Sequence, residues 1–195
     1  DIDREIRPPL GLMALAGYVQ QYGHDVQIID GEPTMMDLDE SVKCCLAAAP
    51  DIIGITSTTP EFPFAFEIIT KIKKANPLII TVIGGSHITN LPDNTISDLG
   101  DLIDWGILYE GEKPFAAVAN GNAKEYVWAR GKSEKLLMAK SRLDGEELSS
   151  FQPARDVLDM SKYKYMDSES GLVKNDALET ARGCPFACSF CTSRK

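Results

Sequence analysis

The sequence predicts an α/β protein built on a Rossmann-like, doubly wound parallel sheet. Short apolar segments, such as residues 52–56 and 78–83, alternate with longer segments whose apolar residues recur at helical spacing. Glycine and proline separate these segments, as at Gly84 and Pro77. Because such strands are apolar along their whole length, both faces of the sheet are expected to be covered by helices.

The elements follow one another in a regular order. The first helix is predicted at residues 12–22, where an apolar stripe follows two prolines and precedes Gly23. Further helices are predicted at residues 39–49, 62–76, 91–99 and 113–119. Strands are predicted at residues 25–29, 52–56, 78–83 and 103–108. Such sheets bind ligands beyond the carboxyl ends of their strands. The candidate binding loops are therefore residues 57–63, 84–89 and 109–113.

Three regions are expected along the chain. The first, residues 1–122, is the sheet domain, and we expect it to lack its usual first strand because residues 1–7 are too charged for a buried strand. Residues 123–176 lose the alternation and are predicted to form a linker, in which 126–130 and 135–139 can pair as a hairpin. The third region, 177–195, begins with a predicted strand at 178–182.

Composition and charge restrict the partners. The 195 residues carry a net charge of -9, which argues against nucleic acid as a main partner because phosphate binding requires concentrated Lys and Arg. No apolar run approaches the ~20 residues that cross a bilayer, so we expect a cytoplasmic protein without membrane contact. Cys44 and Cys45 lie in a helical pattern and are predicted to be small buried hydrophobic residues of a reducing compartment.

Three cysteines near the end of the sequence form the most specific motif. Cys184, Cys188 and Cys191 are spaced by four and three residues, with no fourth cysteine nearby. Three thiolates can hold three irons of a 4Fe-4S cluster and leave one iron open to a further ligand. A partial zinc site is the alternative, although structural zinc sites usually have four ligands in two pairs, and a third reading is that no metal binds.

The spacing resembles the Cys-x-x-x-Cys-x-aromatic-Cys signature of the radical S-adenosylmethionine enzymes, with Phe190 at the aromatic position. This resemblance implies that the three thiolates hold a 4Fe-4S cluster whose open iron chelates S-adenosylmethionine. It implies that Phe190 packs near the adenine of that cofactor. It also implies that an electron from the cluster cleaves the sulfonium and yields a 5'-deoxyadenosyl radical.

Several further motifs resemble the N-terminal cobalamin-binding domain of one class of these enzymes. They are Pro8-Pro9-Leu10-Gly11-Leu12, Gly23-His24-Asp25-Val26, Asp51-Ile52-Ile53-Gly54-Ile55, Gly84-Gly85-Ser86-His87 and Glu110-Gly111-Glu112. Pro153-Ala154-Arg155-Asp156 resembles the linker to the catalytic barrel. The class includes methyltransferases and the anaerobic cyclase of magnesium-protoporphyrin monomethyl ester. The resemblance therefore makes residues 177–195 the first strand and cluster loop of an incomplete (β/α) barrel.

Small and hydroxylated residues at strand ends are the candidate cobalamin contacts, because a nucleotide tail along the sheet edge needs them there. The candidates are Ser57, Thr58, Thr59, Gly84, Gly85, Ser86 and Gly111. The plain alternative is that the glycines only make a tight turn and the hydroxyl groups only cap a helix.

Five other polar or bulky residues need separate interpretations. The chain lacks the Asp-x-His-x-x-Gly motif that supplies a histidine ligand to cobalt, so no such ligand is expected. His24 is placed in a turn, and His87 is interpreted as a solvated or capping residue in preference to one that faces a ligand. Tyr109 stands where the family commonly has glycine and is expected to narrow the groove for the tail. Glu110 and Glu112 are predicted to cap the following helix, without a role in proton transfer.

The resemblance implies an enzyme that uses a 4Fe-4S cluster, cobalamin and S-adenosylmethionine for radical methyl transfer or oxidative cyclisation. A small-molecule or natural-product substrate and an external electron donor are the implied partners. Because a barrel requires roughly another 200 residues, this chain alone is expected to be inactive. Two alternatives remain: a related enzyme that keeps the domain as a scaffold without cobalamin, and a noncatalytic ligand-binding or redox sensor.

Overall fold

A parallel four-stranded sheet lies at the centre of the computed structural model, which describes residues 5–129, 131, 133–139, 142–167, 169–184, 186 and 188. The strands are β1 (Ile52–Thr56), β2 (Ile80–Gly84), β3 (Trp105–Leu108) and β4 (Leu136–Met138), side by side in this order. All neighbouring pairs are parallel, and Ile53 pairs with Thr81 and Ile55 with Ile83. Their carboxyl ends therefore lie along one edge of the sheet.

Helices cover both faces of this sheet. They are α1 (Leu10–Gln20), α2 (Leu38–Ala47), α3 (Phe62–Ala75), α4 (Ser86–Asn90), α5 (Pro92–Leu99), α6 (Glu112–Ala119) and α7 (Gly145–Ser149). Ile83 packs with Ile69 of α3 on one face, and Val82 packs with Val118 of α6 on the other. Among the described helices, none has both the length and the apolar character required to cross a membrane.

The predicted fold class is confirmed by this arrangement. The five predicted helices and the three later strands of the sheet are present, with ends that differ by no more than two residues from the predicted ends. Two features of the structure stabilise these elements. Asp37 forms a capping box with Glu40 at the start of α2, and Phe115 of α6 packs against Gly54, where a Cβ would come within 2.7 Å of its ring. The short helix α4 was not predicted.

The predicted strand at residues 25–29 was wrong. This segment lies outside the sheet, and none of the backbone hydrogen bonds of the described residues joins it to β1. Residues 25–31 and β1 instead line one cavity. A β-strand is stabilised by hydrogen bonds to a neighbouring strand, and none of the described strands pairs with this segment. The described residues 5–7 form no strand, as their charge predicts.

Residues 123–176, the predicted linker, contain helices and strands. Val127 and Leu137 form a single antiparallel bridge where the hairpin was predicted, and residues 136–138 pair with β3 as the fourth strand of the sheet. An antiparallel pair does form later, between β5 (Lys164–Asp167) and β6 (Gly171–Lys174). The boundaries of the three regions remain predictions.

Residues 178–182 belong to no helix or strand, contrary to the predicted strand. A first barrel strand needs a parallel neighbour, and none of the described strands pairs with this segment. Arg155 holds the residues just before this segment. Its Nε lies 2.8 Å from Asp176 Oδ2, and its Nη2 donates to the Ala177 carbonyl at 2.9 Å. The barrel therefore stays a proposal.

Candidate functional site

A large cavity of about 1780 Å³ runs along β1 and reaches the carboxyl ends of β2 and β3. Ligand pockets of drug-sized molecules are usually about 300–1,000 Å³, so this cavity has room for a larger ligand. Four of the seven candidate contact residues line it: Gly84, Gly85, Ser86 and Gly111. The position agrees with the general location of ligands in parallel sheets, beyond the carboxyl ends of the strands.

Gly85 brings the ends of β1 and β2 into direct contact. Its backbone has φ 94° and ψ -175°, a region that only glycine occupies readily. A Cβ at this position would lie 2.5 Å from the Ser57 carbonyl oxygen and 2.7 Å from the Ser57 nitrogen. Gly84 differs, because a Cβ there would meet nothing within 4 Å. Gly85 therefore closes the contact between strands, whereas Gly84 leaves open space beside the cavity.

Ser57 carries a buried hydroxyl group without a hydrogen-bond partner among the described residues. The residue is 2% exposed. Its backbone is well bonded, since its N–H donates to the Gly84 carbonyl at 3.2 Å and its carbonyl accepts from His87 N–H at 3.1 Å. A buried polar group without a partner is costly and uncommon, so this hydroxyl group is suited to a ligand or a water molecule. Ser57 lies behind Gly85 and does not itself line the cavity.

The hydroxyl groups of Thr58 and Thr59 already have partners. Thr58 donates its backbone N–H and its hydroxyl to Glu61 Oε2, at 2.9 and 2.8 Å. Thr59 Oγ1 lies 3.2 Å from His87 Nδ1. Neither threonine lines the cavity, and Glu61 immediately precedes α3. The two residues thus order the turn that leads from β1 into α3.

The two histidines have separate structural partners. His87 was predicted to be solvated or to cap a helix, and the solvated alternative is wrong because the residue is buried. Its ring stacks on Phe62 with centroids 4.0 Å apart. Burial lowers the pKa of His87, and the charge of Asp98 opposes this only in part. His24 lines the cavity, with its Nε2 3.0 Å from Asn120 Oδ1.

Tyr109 stands at the rim of the cavity with its backbone in the left-handed region. Its φ is 61°, its side chain is half exposed, and its N–H donates to Thr89 Oγ1 at 3.0 Å. This conformation favours glycine and costs other residues about 1 kcal/mol or more. The tyrosine is therefore both strained in its backbone and bulky at the cavity.

Neither Glu110 nor Glu112 forms a side-chain hydrogen bond that caps α6, although Glu112 lies in the first turn, where negative charge was predicted to be favourable. The residue at the cap position is Gly111, and no side chain bonds to the first turn of the helix there. Instead, Glu112 Oε1 lies 2.6 Å from Arg182 Nη1, and Glu110 Oε1 lies 3.5 Å from Arg142 Nε. Two arginines from the later part of the chain reach these carboxylates, and ion pairing replaces capping. Sequence reasoning missed Arg142 and Arg182, although Arg182 stands directly before Gly183 and Cys184.

The cysteines are described only in part. Cys184 is half-buried and Cys188 is exposed, and neither forms a disulfide, while Cys191 and Phe190 lie outside the described residues. In the part of the chain that the structure describes, no three metal-ligating side chains come together. Cys44 is exposed, contrary to the prediction, because it points away from the apolar cluster that Cys45 contacts. Burial raises the pKa of the Cys45 thiol.

Comparison with known proteins identifies similar sequences over nearly the whole chain. The family described as B12 binding domain matches residues 5–119. An uncharacterized methyltransferase of Pyrococcus horikoshii is 32% identical over 95% of this chain and 40% of its own length. The anaerobic magnesium-protoporphyrin IX monomethyl ester cyclase of Rubrivivax gelatinosus is 30% identical over 96% of this chain and 35% of its own length. The hopanoid C-3 methylase of Methylococcus capsulatus is 27% identical over 95% of this chain and 36% of its own length. The chain thus spans about two-fifths or less of these three relatives.

Proposed function

Because this chain belongs to the B12-binding domain family, we propose that it is the cofactor-binding N-terminal part of a cobalamin-dependent radical S-adenosylmethionine enzyme. The reaction class is radical methyl transfer or oxidative cyclisation. Relatives named as methyltransferases and as a cyclase support both outcomes and do not favour one of them.

The cavity at the carboxyl edge of the sheet carries the proposal for cobalamin. Gly84, Gly85, Ser86 and Gly111 line it. The side-chain-free surface at Gly84 admits a bulky ligand. The Ser57 hydroxyl group, which has no partner among the described residues, lies behind Gly85, and we propose that the bound ligand displaces the turn at Gly85 and accepts a hydrogen bond from this hydroxyl group. We assign these residues to the nucleotide tail, with Thr58 and Thr59 ordering the adjacent turn.

The thiolates of Cys184, Cys188 and Cys191 are proposed to hold a 4Fe-4S cluster, with Phe190 beside the adenine of S-adenosylmethionine. Three thiolates in place of four leave one iron for that cofactor. Together the bound cofactors supply a carbon radical and, where cobalamin takes part, a methyl group. The residues of this chain bind and orient them, and Arg182, two residues before the first cluster cysteine, lines the cavity.

The proposed partners are a small-molecule or natural-product substrate and an external electron donor. The net charge of -9 agrees with a protein that does not bind nucleic acid, and we propose a cytoplasmic location. The alternative of a scaffold domain without cobalamin is favoured by one observation, the bulk of Tyr109 at the rim of the cavity. A ligand-binding or redox sensor is the second alternative.

The test is anaerobic reconstitution of the full-length protein with iron, sulfide and cobalamin, followed by incubation with S-adenosylmethionine and a reductant. We expect bound iron and cobalt and release of 5'-deoxyadenosine. The Cys184→Ala variant should lose cleavage of S-adenosylmethionine and retain cobalt. Cleavage without cobalt would support the scaffold alternative, and a reducible cluster without cleavage would support the sensor.

A further inference from the structure

Arg182 lies among three carboxylates immediately before the cysteine motif. Its Nη1 is 2.6 Å from Glu112 Oε1 and 3.9 Å from Glu110 Oε2, and its Nε is 2.8 Å from Glu179 Oε2. The side chains of Arg182 and Glu112 are only 13% and 6% exposed. A pair this well shielded from water is held firmly, because breaking it leaves a buried charge without a partner.

Glu110 extends this contact to the segment after β4. Its Oε2 accepts the Leu143 backbone N–H at 3.2 Å, and its Oε1 lies 3.5 Å from Arg142 Nε. Glu110 lies in the loop between β3 and α6, and Glu112, two residues later, is the first residue of α6. One loop at the edge of the sheet therefore contacts two separate later segments of the chain.

Gly183 packs against Arg142, which lies in the segment after β4. Its φ is 83°, and a Cβ would lie within 1.8 Å of Arg142 Nη1. The Arg142 guanidinium group therefore packs directly on the Gly183 backbone. Of the two residues before Cys184, Arg182 is held directly by Glu112, and Gly183 is contacted by Arg142, which pairs with Glu110.

Arg182 and Gly183 face the same cavity as the candidate cobalamin contacts. Arg182, Gly183 and Glu112 line it together with Gly84 and Ser86. The position of Cys184 is thereby tied, through Arg182, to the loop that follows β3. No residue of the cysteine motif itself is needed for this connection.

We propose that Glu112 and Glu110 are positioning residues that hold Arg182, and through it the cysteine loop, against the edge of the cobalamin cavity. This inference rests on the proposed function for the identity of the two cofactors. The ion pairs fix the position of Cys184 relative to the cavity. Their loss frees the segment at Cys184 and leaves the cavity wall formed by Gly84 and Gly85 unchanged.

The first test needs no cofactor and uses site-resolved alkylation of the cofactor-free full-length protein, with Cys45 of α2 as the internal reference. Loss of the Glu112 charge in Glu112→Gln should raise the alkylation rate of Cys184 by about fivefold or more, because local opening becomes easier. The matched control is Glu147→Gln, which removes a carboxylate that lies 2.7 Å from Lys113 Nζ, next to Glu112 in α6. Its Cys184 rate should equal that of the wild type.

A second variant controls for misfolding of Glu112→Gln. The double variant Glu112→Gln with Arg182→Gln removes both charges, so no buried charge is left unpaired, and it should fold and show the same rise in Cys184 alkylation. An alkylation rate equal to the wild type in the folded double variant would overturn the proposal. This result does not depend on whether the wild type binds any cofactor.

The second test asks whether loss of the ion pair changes the position of the cluster. In the reconstituted double variant, the electron paramagnetic resonance signal of the reduced cluster should change on addition of S-adenosylmethionine in a different way from that of the wild type, at equal iron content per protein. An identical signal would contradict a positioning role. Absence of a cluster in the wild type would instead contradict the proposed function and leave the alkylation result to decide this inference.

Discussion

The α-carbon of Gly85 approaches the backbone of Ser57 so closely that a Cβ at position 85 would lie 2.5 Å from the Ser57 carbonyl oxygen. The contact joins the turn after β2 to the end of β1. It also places the unpartnered Ser57 hydroxyl group directly behind the cavity lining. The geometry of the proposed cobalamin site thus depends on one position where no side chain fits.

Replacement of Gly85 by alanine should be strongly destabilising. The backbone conformation of Gly85 is nearly restricted to glycine, and the new Cβ would collide with backbone atoms, so we expect a loss of about 2–4 kcal/mol in the free energy of unfolding. Urea denaturation measures this loss. The control is Gly84→Ala, where the Cβ meets nothing within 4 Å and the stability should change by less than about 1 kcal/mol. Equal stability of the two variants would show that the contact with Ser57 is unimportant.

Replacement of Ser57 by alanine should weaken cobalamin binding without lowering the stability of the cofactor-free protein. Its hydroxyl group has no partner among the described residues, so the free energy of unfolding without cofactor should stay the same or rise by up to about 1 kcal/mol. Cobalamin affinity, measured by equilibrium dialysis, should fall about 5- to 30-fold because one buried hydrogen bond is lost.

The control for Ser57→Ala is Ser149→Ala, which removes a hydroxyl group bonded to the Gly145 carbonyl in α7 and does not line the cavity. Its cobalamin affinity should match that of the wild type. A marked loss of cofactor-free stability in Ser57→Ala would mean that the hydroxyl group serves the protein and not a ligand.

Tyr109→Gly should tighten cobalamin binding. The change removes a bulky side chain from the rim and relieves the left-handed backbone, so we expect about tenfold higher affinity and a stability change within about 1 kcal/mol. Tyr109→Phe keeps both the bulk and the backbone conformation and should bind as the wild type does. Weaker binding by the glycine variant would indicate that the Tyr109 ring contacts the ligand.

His87 should make the protein less stable as the pH falls through about 6.5. Burial lowers the pKa of His87 in the folded protein below its value of 6.5 in the unfolded chain, so below that pH the unfolded chain binds the extra proton first. Stability contributed by the neutral ring is therefore complete above about pH 6.5 and declines toward lower pH, by at most about 1.4 kcal/mol per pH unit.

Urea denaturation between pH 7.5 and about 5.5 checks this dependence. The His87→Gln variant keeps a partner for Thr59 but has no proton to bind, so its stability should decline less steeply than that of the wild type. Parallel curves for the two proteins would contradict the account of His87.

The sheet could be predicted from the sequence because its strands are apolar runs bounded by glycine or proline, as at Gly84 after β2. Residues 25–29 have the same local character, but strand formation requires a neighbouring strand, which local sequence does not report. Strand β4 has three residues, too few for a periodic pattern. Local signals therefore defined the elements, and pairing decided which of them joined the sheet.

The site was predictable to a similar extent. Gly84 and Gly85 are recognisable because a double glycine after an apolar strand indicates an unusual backbone. The contact between Glu112 and Arg182 joins residues 70 positions apart, and no periodicity links them. The conformation of Tyr109 was equally hidden, since only the structure reveals its positive φ.

The most direct test of the central claim is retention of cobalamin. The full-length protein, incubated anaerobically with hydroxocobalamin and passed through a desalting column, should retain an equimolar amount of cobalt and a shifted cobalamin absorption spectrum. The Ser57→Ala variant should retain less under the same conditions. Cobalt at background level in the correctly folded wild type would contradict the assignment of the cavity to cobalamin.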